Sequence, residues 1–301
     1  MANTRILTTT HGTNREAFTP LDWGLFVGLA LIWGASFLFM AIGLDAFHPG
    51  LVTWLRVGFG ALTIALLPQS RRARVNREDI PKVRLLGLIW VAIPFTLFPI
   101  AQQWIDSAVA GMLNGATPIF TALLATLLLR VLPGRLQIIG LVMGLVGVVA
   151  IALPSIGGGT TAAIGVVMIV VATVCYAISL NILTPIAQRY GSFPVMSMVL
   201  WTATLAVTPF GIYGLTQSDF AWPSLLATLA VGVLGTGLAF YMMGVLIGSV
   251  GATRSAFLTY VIPVVALTLG VVFRDEVVAP LAIAGVLLVI AGAFLASRRE
   301  V

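Results

Sequence analysis

The stretch "NGATPIFTALLATLLL", residues 114–129, places a proline inside a run of residues that otherwise suits one long apolar helix. A proline within a helix removes a backbone donor and clashes with the preceding turn, at a cost of about 3 kcal/mol. The stretch "TYVIPVVALTLGVVF", residues 259–273, repeats the arrangement, because Pro263 follows Pro118 by 145 residues. We expect both prolines to bend their helices in the same way.

The composition is that of a membrane protein. Of the 301 residues, 59% are hydrophobic and only 9% are charged, and the mean hydropathy is +1.09, whereas a soluble domain carries about 25% charged residues. The apolar residues come in runs of about 20, the length of a helix that crosses a bilayer. The chain is therefore predicted to be an all-α integral membrane protein. Residues 1–20 are polar and contain no apolar core, so we expect no cleavable secretory signal there.

Ten apolar runs are separated by charged residues or turn signals and are predicted to be transmembrane helices. They cover residues 23–43, 51–68, 84–104, 107–129, 135–153, 162–184, 193–215, 222–246, 251–273 and 278–296. The predicted organisation is a cytoplasmic N-terminal segment (1–22), a first five-helix unit (23–153), a linker (154–161), a second five-helix unit (162–297) and a cytoplasmic tail (298–301).

The basic residues predict the orientation, since cytoplasmic loops carry an excess of Lys and Arg. Of the 16 Lys and Arg residues, all but Arg56 and Arg274 fall on one side when ten spans are drawn. We therefore expect a multi-pass protein of a bacterial-type inner membrane with both termini in the cytoplasm. This topology accounts for the net charge of +6, so the lipid bilayer is an expected partner and nucleic acid is not.

A shift of 145 residues aligns several glycines and prolines of the two units. The aligned pairs are Pro49 with Pro194, Gly87 with Gly232, Pro118 with Pro263, Gly140 with Gly285 and Gly147 with Gly292. Because five spans are an odd number, the second unit enters the membrane from the opposite face. We predict two inverted five-helix repeats, helices 1–5 and 6–10, around a central cavity, as in many secondary transporters. Pro118 and Pro263 would act there as hinges, and kinks without substrate contact are the alternative.

Polar and aromatic residues near mid-depth are the candidates for substrate binding. They are Trp33, Ser36, Arg56, Trp90, Asn114, Tyr176, Asn181, Trp201, Thr259 and Tyr260. A cavity lined by dipoles and rings suits a zwitterionic or partly apolar small molecule. For each residue the alternative is packing within the protein, without substrate contact.

Arg56 is the only Asp, Glu, Lys or Arg residue that lies more than four residues inside a predicted span. An arginine at a helix centre costs about 2.5–3.5 kcal/mol on insertion scales, so it rarely faces lipid. One expected partner is a substrate carboxylate, and the alternatives are snorkelling to the interface or bonding to neighbouring carbonyl groups. Since no acidic residue falls inside a span, we expect transport without an obligatory ion, with Glu276 folded back into the cavity as the alternative.

Cofactor, metal and enzyme chemistry are not expected. Cys175 is the only cysteine, and His11 and His48 lie outside the apolar runs, so no metal site is predicted. The chain has no HExxH or GxSxG motif. Glycines at GxxxG spacing, such as Gly140 and Gly144, indicate close helix packing within one chain, with a dimer interface as the alternative.

Several stretches resemble the EamA family of the drug/metabolite transporter superfamily. They are "ALIWGASFLFMAIGL" (30–44), "HPGLVTWLRVGFGALTIALL" (48–67), "GMLNGATPIFTALLATLLL" (111–129) and "GLVMGLVGVVAI" (140–151). The resemblance extends over about residues 23–297 and is strongest to the YddG-type amino-acid exporters. It implies a ten-helix exporter of small metabolites, here aromatic or other neutral amino acids, with a cavity open alternately to the two sides. An exporter of drugs or other metabolites by proton exchange, or a passive channel, is the alternative.

The chain departs from the family pattern at one place. The family usually has a Gly-Glu pair after spans four and nine. Here the second unit has Glu276, whereas the equivalent position of the first unit, 145 residues earlier, is Val131. A function that needs this acid in both units is therefore not implied.

Overall fold

The structure is a computed structural model that describes residues 18–68, 75–129, 134–157 and 159–297. The α-helices of this part of the chain are α1 (Pro20–Leu44), α2 (Pro49–Leu66), α3 (Ile80–Leu86), α4 (Ile93–Ala101), α5 (Ser107–Asn114), α6 (Thr117–Leu129), α7 (Arg135–Ile156), α8 (Thr160–Tyr190), α9 (Ser192–Thr216), α10 (Trp222–Gly232), α11 (Ala239–Val250), α12 (Ala252–Ser255), α13 (Leu258–Arg274) and α14 (Pro280–Ser297). Two π-helical segments, π1 (Gly87–Ala92) and π2 (Val233–Leu238), join α3 to α4 and α10 to α11.

Eight helical stretches of the described residues are long and apolar enough to cross a membrane. They are Pro20–Leu44, Pro49–Leu66, Ile80–Ala101, Ser107–Leu124, Arg135–Ile156, Thr160–Tyr190, Ser192–Thr216 and Trp222–Val250, and the shorter apolar helices Leu258–Arg274 and Pro280–Ala296 follow them. The predicted all-α membrane fold is therefore confirmed.

Local signals at the chain reversals define where these helices begin and end. Thr19 and Asp22 form a capping box at the start of α1, in which the Asp22 carboxylate accepts from the Thr19 N–H at 2.9 Å. The sixth stretch was predicted to end at residue 184 but continues to Tyr190. It ends only where Gly191 adopts a φ of 82°, a left-handed conformation that favours glycine.

Helices from the two halves of the chain pack against each other. Helix α1 of the first half lies against α13 and α10 of the second half. Conversely, helix α8 of the second half lies against α6 and α4 of the first half. In addition, α2 lies along α9 and α7 lies along α14. The two halves are therefore interleaved rather than placed side by side.

The helices α7 and α14 meet at glycines. A Cβ added at Gly292 would lie 2.5 Å from the oxygen of Gly140, and one added at Gly147 would lie 2.7 Å from the oxygen of Gly285. Small residues allow such close backbone contact in lipid, where no hydrophobic force drives helices together. The GxxxG pair Gly140 and Gly144 thus packs within the chain.

The fourth helical stretch is broken near its middle. The helix α5 ends at Asn114, and Gly115 and Ala116 form a turn before α6 begins at Thr117. Pro118 therefore lies in the first turn of α6, where its missing N–H leaves no helical bond unmade. The predicted bend is present, but the residues before Pro118 form it.

The ninth stretch differs from the fourth. Its break lies at Ala256 and Phe257, between α12 and α13, and Pro263 lies inside α13. The expected equivalence of the two prolines is therefore wrong. The physical reason is packing: the ring of Pro263 occupies the space beside Gly115, where a side chain would clash with it.

Candidate functional site

Arg56 is buried near the middle of α2, with 6% of its surface exposed. Its Nε donates to Thr236 Oγ1 at 3.3 Å, and its Nη1 donates to Met40 Sδ at 3.0 Å. The guanidinium carbon lies 3.8 Å from the centroid of the Phe95 ring. The side chain therefore points into the protein, and the expected alternative of snorkelling to the interface is wrong.

The buried charge of Arg56 has no carboxylate partner among the residues that the structure describes. Their ion pairs join Lys82 and Arg189 to Asp79, and Arg274 to Asp45. A buried charge is costly unless it is paired. Because a guanidinium has five N–H donors, two hydrogen bonds leave Arg56 with the capacity to bind an anion.

The π2 segment supplies the polar groups around Arg56. Thr236, which accepts from Arg56, donates its own hydroxyl to Val231 O at 3.1 Å. One residue earlier, Gly235 O accepts from Trp33 Nε1 at 3.1 Å. A π-helical turn alters the regular backbone pairing and often occurs at functional sites. Here it presents a hydroxyl and a carbonyl to side chains of α2 and α1.

A first aromatic cluster joins α1, π1 and α11. The ring centroids of Trp33 and Trp90 lie 6.2 Å and 5.5 Å from that of Phe240. Such separations are typical of favourable ring pairs. Phe240 follows Phe95, the ring beneath Arg56, by 145 residues. The structure thus brings two predicted site residues, Trp33 and Trp90, together on one ring.

A second aromatic cluster lies on the α4 side of Arg56. The centroid of Phe98 lies 5.6 Å from that of Phe37 and 6.1 Å from that of Tyr176, with the Tyr176 ring nearly parallel to it. Tyr176 is also close enough to Arg56 for an electrostatic interaction. A third predicted residue, Tyr176, therefore adjoins the Arg56 site.

Two buried amide oxygens near this cluster, Oδ1 of Asn114 and Oε1 of Gln102, have no hydrogen-bond partner among the described residues. The Nε2 of Gln102 donates to Phe37 O at 3.3 Å. Asn114 lies one helical turn after Gly111, which lies against the Phe37 ring. An unpaired buried acceptor costs about 1–3 kcal/mol. A bound donor at either oxygen would therefore be favoured.

The other predicted polar residues donate to backbone carbonyl groups three or four residues earlier in the chain, as such residues often do. The bonds run from Ser36 Oγ to Ile32 O at 2.8 Å, from Asn181 Nδ2 to Ala177 O at 2.9 Å and from Thr259 Oγ1 to Ala256 O at 2.7 Å. Ser36 adjoins the Arg56 site, because a Cβ added at Gly235 would lie 2.5 Å from its hydroxyl.

Two predicted aromatic residues lie elsewhere. Tyr260 packs with Ile119 and Leu141 in a separate apolar cluster. Trp201 is 40% exposed on α9, one turn before Leu205, which is 71% exposed. The structure therefore does not bring Tyr260 and Trp201 together with Arg56. Depth along a span does not determine which side of the helix a residue occupies.

Sequence reasoning missed several residues that surround Arg56. Met40, Phe95 and Thr236 contact Arg56 itself, whereas Phe98, Gln102 and Phe240 belong to the adjoining aromatic clusters. A usable signal existed for Phe95 and Phe240, since the 145-residue shift aligns them.

Proteins with related sequences include named transporters. The chain is 27% identical over 282 residues to the probable terminal-alkyne amino-acid exporter of Streptantibioticus cattleyicolor, with 92% of this chain and 93% of that protein covered. It is 26% identical over 292 residues to the probable amino-acid metabolite efflux pump of Salmonella typhimurium, covering 91% and 94%. It is also 26% identical over 276 residues to the uncharacterized transporter YdfC of Bacillus subtilis, covering 90% and 88%.

The fold is shared with a solved structure. A protein known from a crystal structure superposes with a TM-score of 0.59 at 18% identity, over 91% of this chain and 96% of that one. A sequence profile described as the EamA-like transporter family matches residues 23–153 and 163–298. The chain therefore belongs to the EamA-like transporter family and is a multi-pass membrane transporter.

Proposed function

We propose that this protein exports small zwitterionic metabolites, namely aromatic and other neutral amino acids, and that Arg56 binds the substrate carboxylate. The observation that carries the proposal is the buried guanidinium of Arg56, which has no carboxylate partner among the described residues. Guanidinium and carboxylate groups form strong hydrogen bonds, often in pairs. A substrate carboxylate would supply the missing counter-charge.

The rings around Arg56 support an amino acid with an apolar side chain. Trp33 and Trp90 pack on Phe240, and Tyr176 stacks on Phe98. Binding sites for small molecules combine such apolar walls with a few polar groups that orient the ligand. The names of two relatives, which refer to amino-acid or amino-acid metabolite export, favour the same substrate class.

The architecture proposed for this activity is ten spans in two inverted repeats, residues 23–153 and 162–297, with both termini in the cytoplasm. The interleaved packing supports it, because α1 on α13 and α8 on α6 are equivalent contacts. The π segments support it too, since π1 begins at Gly87 and π2 directly follows Gly232, the residue aligned with Gly87. Rocking of such units about a site between them would expose it alternately to the two sides.

We further propose transport without an obligatory ion. The carboxylates of the described residues lie at helix ends or in connections, as Asp22, Asp45, Glu78, Asp79, Asp106, Asp219, Asp275 and Glu276. A proton carrier is normally an acid or histidine within the membrane. Among the described residues, therefore, no carboxylate or histidine lies beside Arg56 to carry a proton.

Reconstituted proteoliposomes test this function. The flux of labelled L-phenylalanine, L-leucine, a sugar and a cationic drug is measured with and without unlabelled substrate on the opposite side. We expect saturable counterflow of the amino acids, without accompanying proton movement. Arg56→Gln should lower this flux by about tenfold or more, the effect of losing a charged hydrogen-bond partner, at unchanged protein level.

Arg77→Gln is the matched control, because Arg77 is exposed outside the helices. Full activity of Arg56→Gln, or transport of the cationic drug alone, would overturn the proposed role of Arg56. Flux without counterflow would indicate a channel.

A further inference from the structure

Glu276, in the connection between α13 and α14, caps the start of α5. Its Oε1 accepts from the N–H and the hydroxyl of Ser107 at 2.9 Å and 2.6 Å, and its Oε2 accepts from the N–H of Ala108 at 2.8 Å. The first N–H groups of a helix lack helical partners, and negative charge is favoured there. One carboxylate thus ties the end of the ninth stretch to the start of the fourth.

The connection that carries Glu276 is itself held in place. The Arg274 guanidinium donates two hydrogen bonds to the Asp45 carboxylate, at 2.7 Å and 3.0 Å. The Glu276 N–H donates to Gly270 O at 3.3 Å. Because these contacts position the carboxylate, little conformational freedom is lost when it caps α5.

Beneath the cap, α5 and α13 meet along a seam of small residues. A Cβ added at Gly270 would lie 3.0 Å from that of Ala108. One added at Gly111 would clash with Ala266, and one added at Gly115 would clash with Pro263. The two helices are therefore in contact from the Glu276 end of the protein to the break after Asn114.

Beyond that break the two stretches have different neighbours. The helix α6 packs on α7, α8 and α14, whereas α12 packs on α11. Within the part of the chain that the structure describes, the fourth and ninth stretches thus contact each other through α5 and α13, the helices next to Glu276.

The two halves of the sequence differ at this position. Val131, which precedes Glu276 by 145 residues, lies outside the described residues. A valine side chain has no hydrogen-bond acceptor. At this position of the repeat, only the second unit supplies a carboxylate.

We infer that Glu276 is a one-sided latch, which favours the conformation closed at its own end and open at the opposite end. This inference rests on the proposed alternating access. On the proposed orientation, the favoured conformation faces the cytoplasm, the side from which an exporter takes up its substrate. Opening the Glu276 end would separate α5 from α13 and would break the three hydrogen bonds of the cap.

A distance measurement tests the latch without any substrate. Spin labels are placed on cysteines at Gln103 and Val277, both exposed at the Glu276 end, in a Cys175→Ser background. We expect one short distance when Glu276 is present and an added population of longer distances in Glu276→Gln. Asp219→Asn, which removes an exposed carboxylate from the same end, should leave the distance distribution unchanged.

A kinetic measurement tests the same inference with L-phenylalanine as the probe. The apparent KM at one face equals the intrinsic constant divided by the fraction of protein open to that face. Glu276→Gln should therefore lower the KM at the Glu276 end by about 2–30-fold, the effect of losing a helix cap, without lowering the KM at the other end. Ser107→Ala, which removes one of the three hydrogen bonds of the cap, should lower the KM at the Glu276 end by a smaller factor.

The outcomes separate the two proposals. Unchanged distances and unchanged KM values in an active Glu276→Gln protein would overturn the latch and leave the proposed function intact. Longer distances in Glu276→Gln, in a protein that moves no amino acid, would support the latch and overturn the proposed substrate.

Discussion

The guanidinium of Arg56 lies over the ring of Phe95, with 3.8 Å between its carbon and the ring centroid. The same two helices are joined one turn away, where Thr53 Oγ1 donates to Phe95 O at 3.1 Å. The ring face attracts the cation where no described carboxylate does. Phe95 thus positions the charge that we propose as the substrate anchor.

We expect Phe95→Leu to raise the KM for L-phenylalanine by about 30-fold, because a desolvated cation–π contact contributes about 2 kcal/mol. Counterflow in proteoliposomes gives the KM. Phe98→Leu serves as the matched control, since it removes a ring that does not lie against Arg56, and its effect should be smaller. An equal KM for the Phe95 variant and the unaltered protein would contradict the positioning role.

Trp90 and Trp201 were both expected in the site, and the structure separates them. Trp90→Leu should lower the flux of L-phenylalanine more than tenfold, as truncation of a well-packed aromatic anchor costs about 2 kcal/mol or more in binding. Trp201→Leu should leave the flux within about twofold, since surface changes have small effects. Equal losses in the two variants would show that the Phe240 cluster does not define the site.

Asn114→Leu should separate stability from transport. Its amide oxygen is buried without a partner in the described part of the chain, so an apolar group of similar size should raise the free energy of unfolding by about 1–3 kcal/mol. The flux should fall, because a polar group available to the substrate is lost. Thermal unfolding in detergent and counterflow are measured on the same preparation. A destabilised variant with normal flux would assign Asn114 a structural role.

Gly292→Ala should destabilise the protein by about 1–3 kcal/mol, the usual effect of overpacking. The added Cβ would lie 2.5 Å from Gly140 O and 2.6 Å from Gly144 N, both backbone atoms. Gly24→Ala is the matched control, because nothing lies within 4 Å of the Cβ that it adds to α1. Thermal unfolding in detergent should therefore distinguish the two alanine variants.

The ion pairs and hydrogen bonds of Asp79 should make the stability of the folded protein depend on pH. Hydrogen bonds from Tyr190 and Lys82, aided by the charges of Lys82 and Arg189, hold the pKa of Asp79 below its usual value of 3.8. Because the pKa is lower in the folded protein than in the unfolded chain, Asp79 stabilises the fold at pH values above its pKa in the unfolded chain. This contribution is lost as the pH falls through its pKa in the folded protein.

Asp79→Asn should therefore lower the Tm at pH 7, and the difference from the unaltered protein should shrink as the pH falls below 3.8. Asp219→Asn, at an exposed site, should show no such difference. A Tm difference that is constant with pH would contradict the prediction.

Much of the fold was predictable because a helix in lipid must be a long apolar run. Arg56 was predictable for a related reason, since a lone charge at depth must turn inward. Trp201 was not, because depth gives no direction around the helix axis. The break before Pro118 was misplaced because proline is tolerated in the first turn of a helix, so it marks a bend only approximately.

The capping role of Glu276 was hidden for another reason. Its partners Ser107 and Ala108 are about 170 residues away in the sequence, and no local pattern predicts such a long-range contact. Phe95 was missed because a phenylalanine in an apolar run resembles any other core residue.

The glycine crossing of α7 and α14 has an evolutionary consequence. Gly140 contacts Gly292, which the 145-residue shift aligns with Gly147. Gly147 in turn contacts Gly285, which the shift aligns with Gly140. Two separate copies of a single unit, inserted into one bilayer in opposite directions, would make the same crossing. Fusion of a duplicated gene would then keep the contacts of an existing dimer. The covalent link would only prevent the two units from dissociating.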